Sequence, residues 1–190
     1  MTAELLRRYA TCRAEIVRNT LTGHAAVFGQ FADLGSNLEN LDERAFDRVL
    51  DDPATDVRAL FNHNPDMLLG RQGAGTLKLG TDSEGLAFEI AVPNTSLGND
   101  LRELVGRQDI NGASFMFAPG QSAWSRAEDG RPIQTHTSVA RLLDVSPVTF
   151  PAYDGASTML RALSIAIVPT GARRRSQLIR ARARVEFGRD

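Results

Sequence analysis

Short apolar runs, punctuated by Gly, Pro, Asn and Asp, constrain the fold of this chain more than any other feature. Runs of this length suit strands of about five or six residues better than long helices. Three of them carry side chains able to cooperate chemically. They are Leu60-Phe61-Asn62-His63-Asn64-Pro65, Asn111-Gly112-Ala113-Ser114-Phe115-Met116-Phe117 and Asp144-Val145-Ser146-Pro147-Val148-Thr149-Phe150-Pro151-Ala152-Tyr153. A sheet that set these runs side by side would assemble a nucleophile, its base and an orienting acid from Ser114, His63 and Asp144. The chain order His, Ser, Asp fits neither the α/β-hydrolases nor the two familiar protease folds. It points to a less common serine hydrolase.

Local patterns fill in the frame. Residues 1–20 read as a lead-in segment, partly helical by composition, ahead of one domain over 21–168. His24 to Phe28 reads as a first strand, stopped by Gly29. Over 38–50, the residues Leu38, Leu41, Ala45, Phe46, Val49 and Leu50 recur at helical intervals, which predicts a short amphipathic helix. Val57 to Asn62 is expected to be extended, and Pro65 biases Asn64 away from helix. Further strands are expected over 67–71, 75–80 and 85–92. A helix fits 96–107, capped by Thr95 or Ser96, with Leu97, Leu101, Leu104 and Val105 along one face. Strands return over 109–118 and 133–150, joined by a polar loop, and Pro147 and Pro151 are expected to break the last one. The apolar run 159–168 is expected to close the core. Many short strands and two helices favour an α+β, β-rich barrel or sandwich over a parallel α/β sheet.

Composition removes several function classes. The chain has 190 residues, 42% of them apolar and 24% charged, which is ordinary for a globular domain. Its formal net charge of −1 predicts no generic attraction to nucleic acid or membranes. Cys12 is the single cysteine, so no intrachain disulfide or cysteine-rich zinc site can form, and a reducing cytoplasm is the expected compartment. No run approaches the roughly 20 apolar residues of a membrane span, and charges occupy the start where a signal peptide needs an apolar core. A soluble protein is expected.

Each candidate residue has a plainer alternative. A serine hydroxyl attacks carbonyls only with a base and oxyanion donors nearby; many strand serines merely satisfy neighbours. Ser114 is not on a nucleophile elbow, because position 116 is Met rather than Gly. His63, held between an apolar strand and a proline, suits a positioned base, or else bonds to backbone at a strand end. Asp144 lies in an apolar strand where an unpaired carboxylate is costly, so it either orients the histidine or pairs with an arginine. His136 is the alternative third member, whereas His24 reads as structural. No two histidines share metal-ligand spacing, and neither metal nor cofactor is expected. The Arg-rich tail over 169–190 reads either as a solvated segment or as an interaction arm, without the aromatic interleaving that specific nucleic-acid stacking uses.

Taken in order, Gly23-His24-Ala25-Ala26-Val27-Phe28, Leu60-Phe61-Asn62-His63, Leu69-Gly70-Arg71, Gly112-Ala113-Ser114-Phe115 and Asp144 through Tyr153 resemble the prohead protease family of tailed bacteriophages. The likeness spans approximately residues 20–160. It implies an antiparallel β-barrel flanked by short helices, related to the herpesvirus assemblins. It also implies a homo-oligomeric serine endopeptidase acting in the host cytoplasm inside the assembling prohead. The expected substrates are the major capsid protein precursor, the scaffold and the enzyme itself. The family's histidine falls on His63 and its nucleophile on Ser114. Where close relatives often carry Glu as the third member, this chain has Asp144. Two rivals stand beside this reading: a non-enzymatic phage assembly protein of the same fold, and a nucleic-acid-binding module acting through the Arg tail.

Overall fold

The computed structural model describes residues 6–10, 15–17 and 19–150. In chain order the first elements are β1 (Leu6–Ala10), β2 (Glu15–Val17), β3 (Thr20–Val27), β4 (Ala32–Asp33) and β5 (Leu38–Leu41). Helix α1 (Asp47–Asp51) leads to the hairpin of β6 (Arg58–Phe61) and β7 (Asn64–Arg71), followed by β8 (Leu77–Thr81) and β9 (Gly85–Ala91). Helix α2 (Ser96–Gly106) precedes β10 (Gly112–Pro119), β11 (Ser122–Arg126), β12 (Pro132–His136) and β13 (Val139–Val148).

These strands form three sheets, ordered β1-β10-β13-β6-β7, β11-β12-β5-β4 and β2-β3-β9-β8. The β-rich α+β class agrees with expectation, but the antiparallel barrel does not. Among the described residues each sheet keeps two open edges, and none closes on itself. Two of the pairings, β5 with β12 and β6 with β13, are parallel. The three sheets instead pack around a shared apolar interior that takes Leu21, Phe88 and Ile90 from one sheet and Phe115, Phe117 and Val145 from another. Aromatic rings run through it in sequence: Phe28 to Phe46 at 6.3 Å, Phe46 to Phe115 at 5.7 Å and Phe115 to Phe117 at 5.0 Å between centroids.

Where local pattern and structure part, a tertiary partner explains the difference. The expected helix over 38–50 is realised only at Asp47–Asp51, because Leu38–Leu41 pairs in parallel with Ile133–His136 as a strand. The lead-in expected to be partly helical contributes strands instead: Leu6–Ala10 lies against β10 and Glu15–Val17 against β3. The polar loop before residue 133 contains β11, which forms a hairpin with β12. Strand β13 runs through Pro147, whose carbonyl still accepts the Asn62 amide at 3.1 Å. Helix α2 matches its expected limits closely, and the Thr95 hydroxyl accepts from the Gly98 amide at 3.2 Å. The apolar run 159–168 and the Arg-rich tail lie outside the described residues.

One close approach is set by a glycine. Strand β3 bulges between His24 and Ala26, and a Cβ on the facing Gly85 would stand 1.9 Å from the Ala26 carbonyl oxygen. Backbone cannot yield as a side chain does, so Gly85→Ala should force the two strands apart. We expect a loss of about 1–3 kcal/mol and a melting temperature lower by several degrees. Thermal unfolding followed by circular dichroism checks this.

Candidate active site

The site is built on one face of the five-stranded sheet. Along β10, Ala113, Phe115 and Phe117 enter the core, so the alternate residues Gly112, Ser114 and Met116 share the other face. Antiparallel pairing sets Ser114 opposite Ser146 and Met116 opposite Asp144 on β13. Residues paired across a ladder share a face, which places Ser114, Asp144 and Ser146 together.

His63 arrives from the β6–β7 hairpin. Phe61 pairs with Asn64, leaving Asn62 and His63 as the two turn residues, with φ of +54° and +56°. Positive φ at both central positions is the pattern of a type I′ turn, where Asn suits the first position and Gly usually takes the second. A histidine there is held against its own conformational preference, at a cost of about 1–2 kcal/mol. Asn62 ties the turn down: its Nδ2 donates to Thr149 Oγ1 at 3.0 Å and its Oδ1 accepts from the Thr149 amide at 2.8 Å. The hairpin is thereby locked to the end of the strand that carries Asp144.

This places the imidazole between its partners. His63 Nε2 lies 2.6 Å from Ser114 Oγ, and Nδ1 lies 2.6 Å from Asp144 Oδ1. A carboxylate can only accept, so the neutral ring carries its proton on Nδ1 and Nε2 accepts from the serine hydroxyl. All three residues are buried, Ser114 completely. Ser146, also fully buried, donates its hydroxyl to the same Asp144 Oδ1 at 2.7 Å.

Arg58 stands opposite Asp144 in the β6–β13 register, yet its guanidinium pairs with Asp56 at 3.0 Å. Asp56 also accepts from Arg71 and from the Gly73 amide, and these hold its carboxyl down at about 2. Asp144 is therefore partnered by histidine rather than arginine. His136 sits elsewhere, on β12, with Nε2 at 3.2 Å from Glu39 Oε2, Nδ1 at 3.1 Å from Ser122 Oγ, and its ring edge-on to Phe117. Phe117 occupies the face of β10 opposite to Ser114, so His136 is not brought to the site. His24 bonds Asp82 at 2.9 Å, tying β3 to the β8–β9 turn. Among the described residues, no cluster of three or more His, Cys, Asp or Glu is placed to hold a metal ion.

Sequence reasoning named the three central residues but assigned no part to Asn62 or Ser146. The signals were present: an Asn-His pair between two extended runs, and an Asp-Val-Ser spacing that puts two polar groups on one strand face. Asn62→Ala should cost about 1–3 kcal/mol by removing both Thr149 bonds and a residue tolerant of positive φ. A lowered urea midpoint with an unchanged slope would register it.

Residues 8–170 match the family described as Caudovirus prohead serine protease. The structure of the bacteriophage T4 capsid assembly protease, gp21, aligns at a TM-score of 0.52, covering 76% of this chain and 97% of that one with 11% identity, a likeness of fold. No curated protein matches the sequence. With the family match extending over most of its length, this chain belongs to the caudovirus prohead serine proteases.

Proposed function

We propose that this chain is a serine endopeptidase of phage capsid maturation in which Ser114 is the nucleophile, His63 the general base and acid, and Asp144 the orienting carboxylate. The observation that carries this reading is a single buried imidazole engaged at 2.6 Å by a hydroxyl on one nitrogen and a carboxylate on the other. Family membership supplies the reaction class; the geometry supplies candidates for each role.

The chemistry follows from the contacts. Ser114 Oγ attacks the scissile carbonyl carbon while its proton passes to His63 Nε2. Asp144, bonded to Nδ1–H, stabilises the imidazolium and keeps the ring in the productive tautomer. The proton then goes from Nε2 to the leaving amine as the C–N bond breaks, which leaves an ester on Ser114. Water, deprotonated by His63, hydrolyses that ester and the serine is restored. Because Ser114 has no solvent exposure, a peptide reaches Oγ only when neighbouring chain moves aside.

We propose the major capsid protein precursor and the scaffold as substrates, together with the enzyme itself, cleaved inside the assembling prohead by a homo-oligomeric form. Co-expression with the capsid gene, read by intact-mass spectrometry, tests substrate and nucleophile together. Ser114→Ala should lower turnover by a factor on the order of 10⁶; precursor trimming at the wild-type rate by that variant would overturn the assignment. A non-enzymatic assembly protein would instead leave the precursor untrimmed with the wild-type chain as well.

The third residue has its own test. Asp144→Asn should reduce kcat by about 10⁴-fold by favouring the wrong tautomer, as the corresponding change does in the serine protease triad. His136→Gln should leave the turnover of folded molecules unchanged. A reversed pattern in steady-state kinetics would reassign the role.

A further inference from the structure

We propose that Ser146 is a positioning residue of the catalytic site, holding the Asp144 carboxylate in the orientation from which it accepts the hydrogen bond of His63 Nδ1–H. The inference rests on the Ser114–His63–Asp144 reading and adds a fourth side chain to it.

Three observations carry it. Ser146 follows Asp144 by two residues on β13, so the strand's alternation sends both side chains to the same face. Its Oγ lies 2.7 Å from Asp144 Oδ1, the same oxygen that receives His63 Nδ1–H at 2.6 Å. Ser146 is also the ladder partner of Ser114 and has no solvent exposure. The hydroxyl is therefore enclosed against the catalytic group and bonded to its charged oxygen.

The physical consequence concerns rotation. A carboxylate turns readily about its terminal bond, since that torsion is broad and roughly two-fold. One donor, His63, would leave the Asp144 carboxylate free to tilt its plane out of line with the ring. A second donor fixed to the strand at the same oxygen favours one arrangement, and a hydrogen bond to a charged acceptor is about twice as strong as a neutral one. The Ser146 hydroxyl bonds the Asp144 carboxylate, so its influence on rate is assigned to that group.

A structural role alone would make Ser146 a filler of the strand face, with its loss felt in stability and not in rate. Two variants of matched volume separate these cases in the full chain. Ser146→Thr keeps the hydroxyl and Ser146→Val lacks it. With a fluorogenic peptide drawn from a mapped cleavage site, Ser146→Val should lower kcat roughly 10- to 100-fold at unchanged KM, while Ser146→Thr stays near wild type. In an Asp144→Asn background, Ser146→Val should cost no further rate.

Equal kcat for the two variants, per folded molecule, would overturn the proposal. So would full additivity with Asp144→Asn. The parent reading fails separately: if Ser114→Ala retains normal turnover, the nucleophile assignment is wrong. If Ser114→Ala and Asp144→Asn are impaired while Ser146→Val matches Ser146→Thr, only the positioning role is lost.

Discussion

The antiparallel ladder between Gly112–Pro119 and Val139–Val148 is the contact on which the rest of this structure depends. It decides two things at once, because residues facing each other across a ladder share a side of the sheet. On one side it commits Ala113, Phe115, Phe117 and Val145 to the apolar interior. On the other it brings Ser114, Asp144 and Ser146 together. A slip of one residue would send Ser114 into the Phe46–Phe117 aromatic row and Phe115 onto the polar face. The apolar core therefore enforces the register that the polar site requires.

Burial makes the polar side demanding. An ionised carboxylate removed from water costs several kcal/mol unless hydrogen bonds compensate it. Asp144 is buried, and two donors, His63 Nδ1–H and the Ser146 hydroxyl, converge on one of its oxygens. The histidine reaches it only because the β6–β7 turn accepts positive φ at two successive non-glycine residues. Local backbone strain of this kind persists where surrounding contacts over-determine it. Here those contacts are the Asn62–Thr149 pair of bonds and the Asn62 amide bond to Pro147.

The resemblance seen in the sequence and the family match agree, and the T4 protease shares the fold at 11% identity. Such a low identity is compatible with a preserved architecture because the demands are those of pattern. Strand faces need apolar residues of fitting volume, whereas the polar side needs particular atoms at particular ladder positions. The short Asp144 side chain reaches the imidazole at 2.6 Å.

By itself the chain's sequence determined the β-rich class and the limits of helix α2, and it singled out Ser114 and His63 while leaving the third place open between Asp144 and His136. Alternation, caps and turn residues are local signals, and an apolar strand bearing a lone carboxylate is conspicuous without coordinates. Tertiary structure alone decided that Leu38–Leu41 is a strand, since its partner lies near residue 135, and that the described residues form three open sheets in place of a barrel. It also separated Asp144 from His136: both are buried polar residues on strands, and only the ladder shows which one faces Ser114. The partner of Asn62 stayed silent, because a hydrogen bond between residues 87 apart leaves no periodicity to read, whereas the Asp144–Ser146 spacing was legible in the sequence and only its bond was not.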